Sequence, residues 1–228
     1  MSHKLKAKNF EKDFFEERQK IDLDYTSYGQ WQGQYTWQTL EVIQKTDPMD
    51  LVIDVGCACG NLVKGFRDTL LPKRTIGYDV SEYMLQQGRN KFGHGEDLIK
   101  FDGAHKIPLL DACVDVYHSQ QVYEHIPEEL IGASFAEARR VIKPGGVVYI
   151  CLAALKDLYS EEAIRFDPTH ITIHRVVWWM RQAQKAGFVF DLESYDRLAR
   201  SHRKPNKGAR RNYWQRHTEW TTLILKPI

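Results

Sequence analysis

Apolar positions along the chain follow two alternating periods. Short β-branched runs at 51–55, 75–79, 97–101, 113–118 and 146–152 read as strands, and segments with helical spacing lie between them at about 60–71, 81–92 and 127–142. Strands that alternate with helices predict a mostly parallel sheet covered on both faces. Ahead of this region, Phe10, Phe14, Phe15 and Ile21 are spaced among charges, which predicts an amphipathic helix over 9–22. The stretch "YTSYGQWQGQYTWQTLEVIQ" follows, with Tyr25, Tyr28, Trp31, Tyr35 and Trp37; its second half reads as a helix leading to the turn "TDPMD". Near the other end, a helix at about 174–186 precedes two strand-like runs, "FVFDLESY" and "EWTTLILKPI", with no long helical pattern between them. An antiparallel pair at the sheet edge fits that pattern. The expected organisation is one domain, with an N-terminal helical cap (1–48), an α/β core (49–192) and a C-terminal strand pair with a basic loop (193–228).

Composition narrows the class. The 228 residues are 43% apolar, enough for a filled core, and the 32 basic and 30 acidic residues leave a net charge of +2. A general attraction to nucleic acid is not indicated, although residues 197–216 carry eight Lys/Arg and no acid. The apolar run "VVYICLAAL" is too short to cross a bilayer, and the charged N-terminus has no apolar signal core. The four cysteines show no disulfide spacing, which suits a reducing cytoplasm. Cys57 and Cys59 are one residue apart, too close for a zinc hairpin, and no metal is expected.

The chemistry concentrates where "LVIDV" runs into "GCACGNL". A dinucleotide fingerprint would need glycine at 56, 58 and 61, but the chain has Gly56, Ala58 and Asn61, with Gly60 out of register. No Walker-type lysine and hydroxyl follow the loop. Asp54 at the strand end opposes a pyrophosphate and favours an ammonium group, while the helix beginning near Gly60 offers N–H groups to a carboxylate. A ligand with an amino acid moiety suits both. Asp79 ends the second strand in "TIGYDVS" and can accept both hydroxyls of a ribose. Asp102, in "KFDGA", can accept from an adenine amino group, with Ala104 and His105 flanking the ring; its bland alternative is an Asx turn before Gly103. Amino acid, ribose and adenine together make S-adenosylmethionine.

At this point the chain resembles the class I S-adenosylmethionine-dependent methyltransferases, particularly the small type 11 group. "DVGCACG" matches the glycine-rich motif with Ala58 at the usual middle glycine, and Asp79 and Asp102 match the acids of the second and third strands. "IPLLDACVDVYHSQQVYEHIPEEL" stands in the place of the fourth-strand segment, and "EARRVIKPGGVVYI" matches the helix, turn and fifth strand. The resemblance covers about residues 48–192. It implies a Rossmann-like sheet of seven strands, mostly parallel, with the last strand inserted antiparallel. It also implies S-adenosylmethionine as cofactor and S-adenosylhomocysteine as product. Ala58 is compatible with the loop at negative φ and strained at positive φ, and cofactor binding is expected to survive it. The cofactor set is Asp54, Gly56, Cys57, Ala58, Gly60, Asp79, Val80, Asp102, Gly103, Ala104, Ser119 and Gln120.

The acceptor side is read from "HSQQVYEHIP" and "FDPTHITIH". His125 is either a general base for an acceptor hydroxyl or a helix-entry residue satisfied by backbone. His170, three residues after Asp167, is a second base candidate; its alternative is packing beside an Asp-Pro turn. Tyr28, Trp31, Glu124 and Arg211 are the expected substrate contacts, the first two from a cap over the pocket. The Asn/Asp-Pro-Pro-Tyr/Phe run of exocyclic-amine methyltransferases is missing after the fourth strand, and Cys113 and Cys151 lack the Pro-Cys setting of cytosine C5 chemistry. The expected reaction is methyl transfer to an oxygen of a small-molecule or glycan acceptor, an anionic one if the basic loop takes part. Two alternatives stay open: an RNA or protein methyltransferase guided by residues 197–216, and an inactive cofactor-binding scaffold. A dinucleotide-dependent oxidoreductase is opposed by Asp54 and by the glycine register.

Overall fold

The computed structural model describes residues 10–19, 36, 39–43, 48–93, 97–102, 106–155, 169–203 and 220–228. Helix α1 (Lys12–Gln19) comes first. The alternating region follows as β1 (Leu51–Val55), α2 (Asn61–Leu70), β2 (Arg74–Asp79), α3 (Glu82–Phe92), β3 (Leu98–Lys100), β4 (Val114–Gln120), α4 (Glu128–Val141) and β5 (Ile142–Ala153). The chain continues through α5 (Val176–Lys185), β6 (Phe188–Phe190), α6 (Leu192–Arg203) and β7 (Trp220–Pro227). Strand order in the seven-stranded sheet is β3-β2-β1-β4-β5-β7-β6. The first five strands in the chain pair in parallel, and β7 is antiparallel to both β5 and β6.

All five residues of β1 are buried because the strand is central and covered on both faces. Ile53 and Val55 face a core built with Phe135 and Ala138 of α4 and Trp179 and Ala183 of α5. Val52 faces the opposite core, with Phe66 of α2, Leu198 of α6 and Val42 and Ile43 of the helical stretch 39–43. After β1 the chain steps outward to β2 and β3, then returns past β1 to β4. That reversal opens a crevice at the carboxyl ends of β1 and β4, where an open α/β sheet takes its ligand. At the opposite ends of the strands, Asp115 accepts the Asp50 and Leu51 N–H groups at 2.7 and 2.9 Å and pairs with Lys143 at 3.0 Å. Lys143 and Lys73 also hold Asp50 at 2.6 and 2.7 Å, which depresses its carboxyl to about 2.

Two expectations change. The strand in "FVFDLESY" stops at Phe190, because Asp191 accepts the Ser194 N–H at 3.2 Å and so begins α6. Residues 197–203 of the basic stretch are therefore helical, and Arg197 donates to the Val42 carbonyl at 3.0 Å. The strand pair lies at the sheet edge and is antiparallel as expected, with β7 inserted between β5 and β6. With β6 so short, the rest of β7 finds other partners: Asp191 N–H donates to Ile224 O at 2.9 Å, and the Tyr195 hydroxyl accepts Ile224 N–H at 3.0 Å while donating to Thr222 O at 2.7 Å. Tyr195→Phe leaves two backbone groups of β7 unpaired. Urea denaturation should show a loss of about 1–2 kcal/mol with an unchanged m-value.

Candidate functional site

Between β1 and α2 the chain turns through three left-handed residues. Gly56 has φ +82, Ala58 φ +47 and Gly60 φ +76. Gly56 and Cys57 donate their N–H groups to Tyr78 O at 2.7 and 3.0 Å, and Gly60 donates to Cys57 O at 2.8 Å. Gly56 is required twice over, since a Cβ there would lie 2.0 Å from Val122 Cγ2 in addition to the positive φ. From below, α3 presses on the loop at Gly88, where a Cβ would come within 2.2 Å of Cys59 O. Ala58 thus occupies the strained alternative, and its N–H is held by Asp79 Oδ2 at 2.8 Å. Gly60 leads into α2 without a side-chain cap.

Asp79 ends β2 with its carboxylate buried. Oδ2 holds the loop and Oδ1 accepts the Ser81 N–H at 2.8 Å, next to Val80. Burial pushes its pKa up to about 6, with the neighbouring Asp54 charge adding to the shift and the backbone donors opposing it. Burial likewise pushes the Cys57 thiol well above its usual range, so it stays protonated.

Asp54 is the fourth residue of the buried strand β1. Its side chain is buried beneath the loop, and Oδ1 accepts a hydrogen bond from His118 Nδ1 at 2.7 Å. The two residues are direct neighbours across β1 and β4. His118 stacks on Tyr149 at 5.3 Å and meets Phe66 edge-on at 5.2 Å, while its Nε2 is buried without a hydrogen-bond partner among the described residues. Sequence reasoning missed His118. A histidine inside the apolar strand "VDVYHSQ" was the available signal, but only pairing register reveals its partner. Beyond it, Ser119 is buried with its Oγ unpaired among the described residues, and Gln120 is half-buried at the strand end.

A second cluster forms just past β4. Glu124 and His125 lie in a single 3₁₀ turn (Tyr123–His125). The Glu124 carbonyl accepts the N–H groups of Ile171 and Thr172, both at 3.0 Å, and Thr172 Oγ1 donates to Ile126 O at 2.6 Å. This lacing brings His170 against His125, with ring centroids 4.9 Å apart. His125 Nδ1 bonds Thr169 O at 2.9 Å; a carbonyl only accepts, so in the neutral ring Nδ1 carries the proton and Nε2 is the basic nitrogen. The backbone contact expected of a helix-entry residue is thus made by Nδ1. Glu124 is fully buried, and its Oε1 accepts the Ala153 N–H at 3.1 Å.

Helix α1 ties the two clusters together. Phe15 buries against Cys59 and Met84 with Phe14 and Ala58 alongside, and Phe10 meets the His125 ring edge-on at 5.5 Å. Asp102 is half-buried just beyond β3. Tyr28, Trp31, Gly103, Ala104, His105, Asp167 and Arg211 lie outside the described residues.

Residues 53–150 match the family described as a methyltransferase domain. The chain is 29% identical over 132 residues to an uncharacterised methyltransferase of Schizosaccharomyces pombe, covering 53% of this chain and 45% of that protein. It is also 30% identical over 182 residues to the demethylmenaquinone methyltransferase of Symbiobacterium thermophilum, covering 77% of this chain and 69% of that one. The chain belongs to the class I S-adenosylmethionine-dependent methyltransferases. Its fold agrees with that of an S-adenosylmethionine-dependent methyltransferase from Archaeoglobus fulgidus, at TM-score 0.60 and 16% identity over 86% of this chain and 94% of that one. The chain spans less than half the length of the fission-yeast protein and of several other curated relatives.

The described residues suit this family's cofactor. The first turn of α2 carries no side-chain cap, and the Asp79 carboxylate and buried Ser119 Oγ stand at the same sheet edge. The departure at Ala58 has a measurable consequence. Left-handed backbone costs a non-glycine residue roughly 1–2 kcal/mol, offset in part by the extra freedom glycine has in the unfolded chain. Ala58→Gly should therefore raise stability by about 1 kcal/mol, seen as a melting temperature roughly 2–4 °C higher.

Proposed function

We propose that this chain transfers a methyl group from S-adenosylmethionine to an oxygen of a small-molecule or glycan acceptor, an anionic one where the basic stretch takes part. The observation that carries the reading is that the His125 imidazole, its Nδ1 engaged by the Thr169 carbonyl, packs on Phe10, which belongs to the same cluster as Phe15 and Ala58 of the glycine loop. When bound, S-adenosylmethionine supplies a methyl group already activated by the positive charge on its sulfur. The protein's work is then mainly to position and to exclude water, which can contribute roughly 7–11 kcal/mol in the best cases.

In this reading the uncapped N-terminus of α2 and the Gly56–Gly60 backbone receive the amino acid end, and Asp79 receives the ribose. Asp102, with Gly103 and Ala104, receives the adenine. Asp54 acts from beneath: through His118 it braces the junction of β1 and β4 instead of touching the ligand. Ser119 and Gln120 face the methionine portion. His125 and His170 receive the acceptor hydroxyl and manage its proton, a contribution of roughly 10²–10⁴ in rate. Tyr28, Trp31 and Arg211 remain expected acceptor contacts, with Glu124 in a supporting place behind His125. The likeness to a demethylmenaquinone methyltransferase and to a ubiquinone/menaquinone biosynthesis C-methyltransferase favours one further reading, methyl transfer to a carbon of a quinone-type acceptor.

Asp79 makes the reading testable by pH. Its pKa near 6 lies above the ordinary carboxyl value, so the free protein loses the contribution of this group as pH rises from about 4 through 6. Hydroxyl donors from a ribose favour the charged form. Calorimetric affinity for S-adenosylhomocysteine should therefore rise with pH up to about 6 and level off above it. Asp79→Asn should abolish measurable binding and flatten that dependence while leaving a cooperative fold; unchanged binding in this variant would overturn the assignment. For the acceptor side, mass spectrometry of trial hydroxyl acceptors should show addition of one methyl. His125→Ala should slow that transfer by about 10²-fold or more at unchanged cofactor affinity.

A further inference from the structure

We propose that Glu124, His125 and His170 form a site for a first-row divalent transition cation at the acceptor end of the crevice. The proposal rests on the methyl-transfer reading and revises one role in it: with an ion bound, His125 and His170 ligate the cation, and the cation rather than an imidazole base activates the acceptor oxygen. Among the described residues this is the one place where three side chains of ligand type converge: a carboxylate oxygen and two ring nitrogens lie within 4.8 Å of one another. Two ligands bonded to one ion at about 2.1 Å stand at most about 4.2 Å apart. Small side-chain rotations close that difference.

The cluster is built into the frame. His170 is held over His125 by the backbone bonds that lace residues 169–172 to residues 124–126. The first layer of support is the one that metal-binding histidines and carboxylates use. His125 Nδ1 donates to the Thr169 carbonyl, which fixes the ring and leaves Nε2 as the nitrogen with a free lone pair in the neutral tautomer, and Glu124 Oε1 accepts the Ala153 N–H. Two imidazoles and one carboxylate make a donor set of intermediate softness, suited to Zn²⁺, Fe²⁺, Co²⁺ or Mn²⁺ and poorly suited to Ca²⁺ or Mg²⁺.

Burial also indicates what the site does. Glu124 is buried whereas both histidines are only half-buried, so the cluster is accessible on its histidine side. A closed structural site would enclose its ion; three ligands with open positions are the pattern of an ion that meets substrate. Phe10 touches His125 and belongs to the α1 cap over Ala58 and Cys59, which puts the histidine side beside the glycine loop. The class of acceptor that follows is one with a hydroxyl or enol oxygen able to bind the ion. Its O–H proton would pass to solvent, because the cation lowers the pKa of a bound oxygen acid.

Cobalt titration of chelator-dialysed full-length chain tests this without any turnover. The expected result is one equivalent of Co²⁺ taken up with visible d–d absorption, displaced by Zn²⁺. Affinity should fall at least tenfold in His170→Ala and in His125→Ala, and also in Glu124→Gln, which keeps an acceptor for the Ala153 N–H. S-adenosylhomocysteine binding to the same samples serves as the folding control and should match wild type. No stoichiometric uptake by wild-type protein that binds S-adenosylhomocysteine would overturn the proposal, as would uptake that neither histidine variant weakens. Uptake of cobalt by a protein that fails to bind S-adenosylhomocysteine would sustain the cation site and remove the methyl-transfer reading instead.

Discussion

The buried carboxylate of Asp79 holds the two connections that form the floor of the crevice. One oxygen takes the N–H of left-handed Ala58 and the other the N–H of Ser81, whose hydroxyl in turn caps α3. A single acid thereby couples the β1–α2 turn to the β2–α3 turn. Its own burial is unfavourable, as the rise of its pKa to about 6 records, and the backbone donors compensate only in part. Such a residue is costly as mere structure and reasonable as part of a binding floor, where a ligand brings further donors.

The two edges of the sheet treat their acids in opposite ways. At the amino ends of the strands, Asp50 meets Lys73 and Lys143 in ion pairs exposed enough to be screened by solvent, while the buried Asp115 has a full cation, Lys143, as its partner. At the carboxyl ends, Asp54, Asp79 and Glu124 are all buried and meet an imidazole or backbone N–H groups. Negative charge withdrawn from water is therefore gathered at the edge where the strand order reverses. A ligand carrying both ammonium and sulfonium charge suits such an edge, as does a divalent cation.

Placement of the β4 tip depends on contacts that are distant in sequence. Val122 fills the space left by the missing side chain at Gly56, and Glu124 binds both Ala153 of β5 and the segment before α5. The acceptor cluster and the glycine loop are thus held to one another through β1, β4 and β5. The N-terminal segment then bridges both, with Phe10 just ahead of α1 and Phe15 within it.

The repeating periods of the chain were enough to place most strands and helices to within a residue or two, because a parallel strand buried on both faces is apolar throughout and its helices are amphipathic. The glycine-rich turn, the acid at Asp79 and the order of the motifs were also legible, since each depends on local backbone demands and fixed spacing. Asp191 shows the limit: a single capping side chain turned an apparent strand into α6, an outcome that periodicity does not weigh. The positive φ of Ala58, the Asp54–His118 pair and the meeting of His125 with His170 depend on strand register and on chain segments up to 64 residues apart. Sequence alone names such groups as acids and bases. Only tertiary structure assigns their partners, because hydrogen bonds and burial are properties of what surrounds a side chain and not of the residue itself.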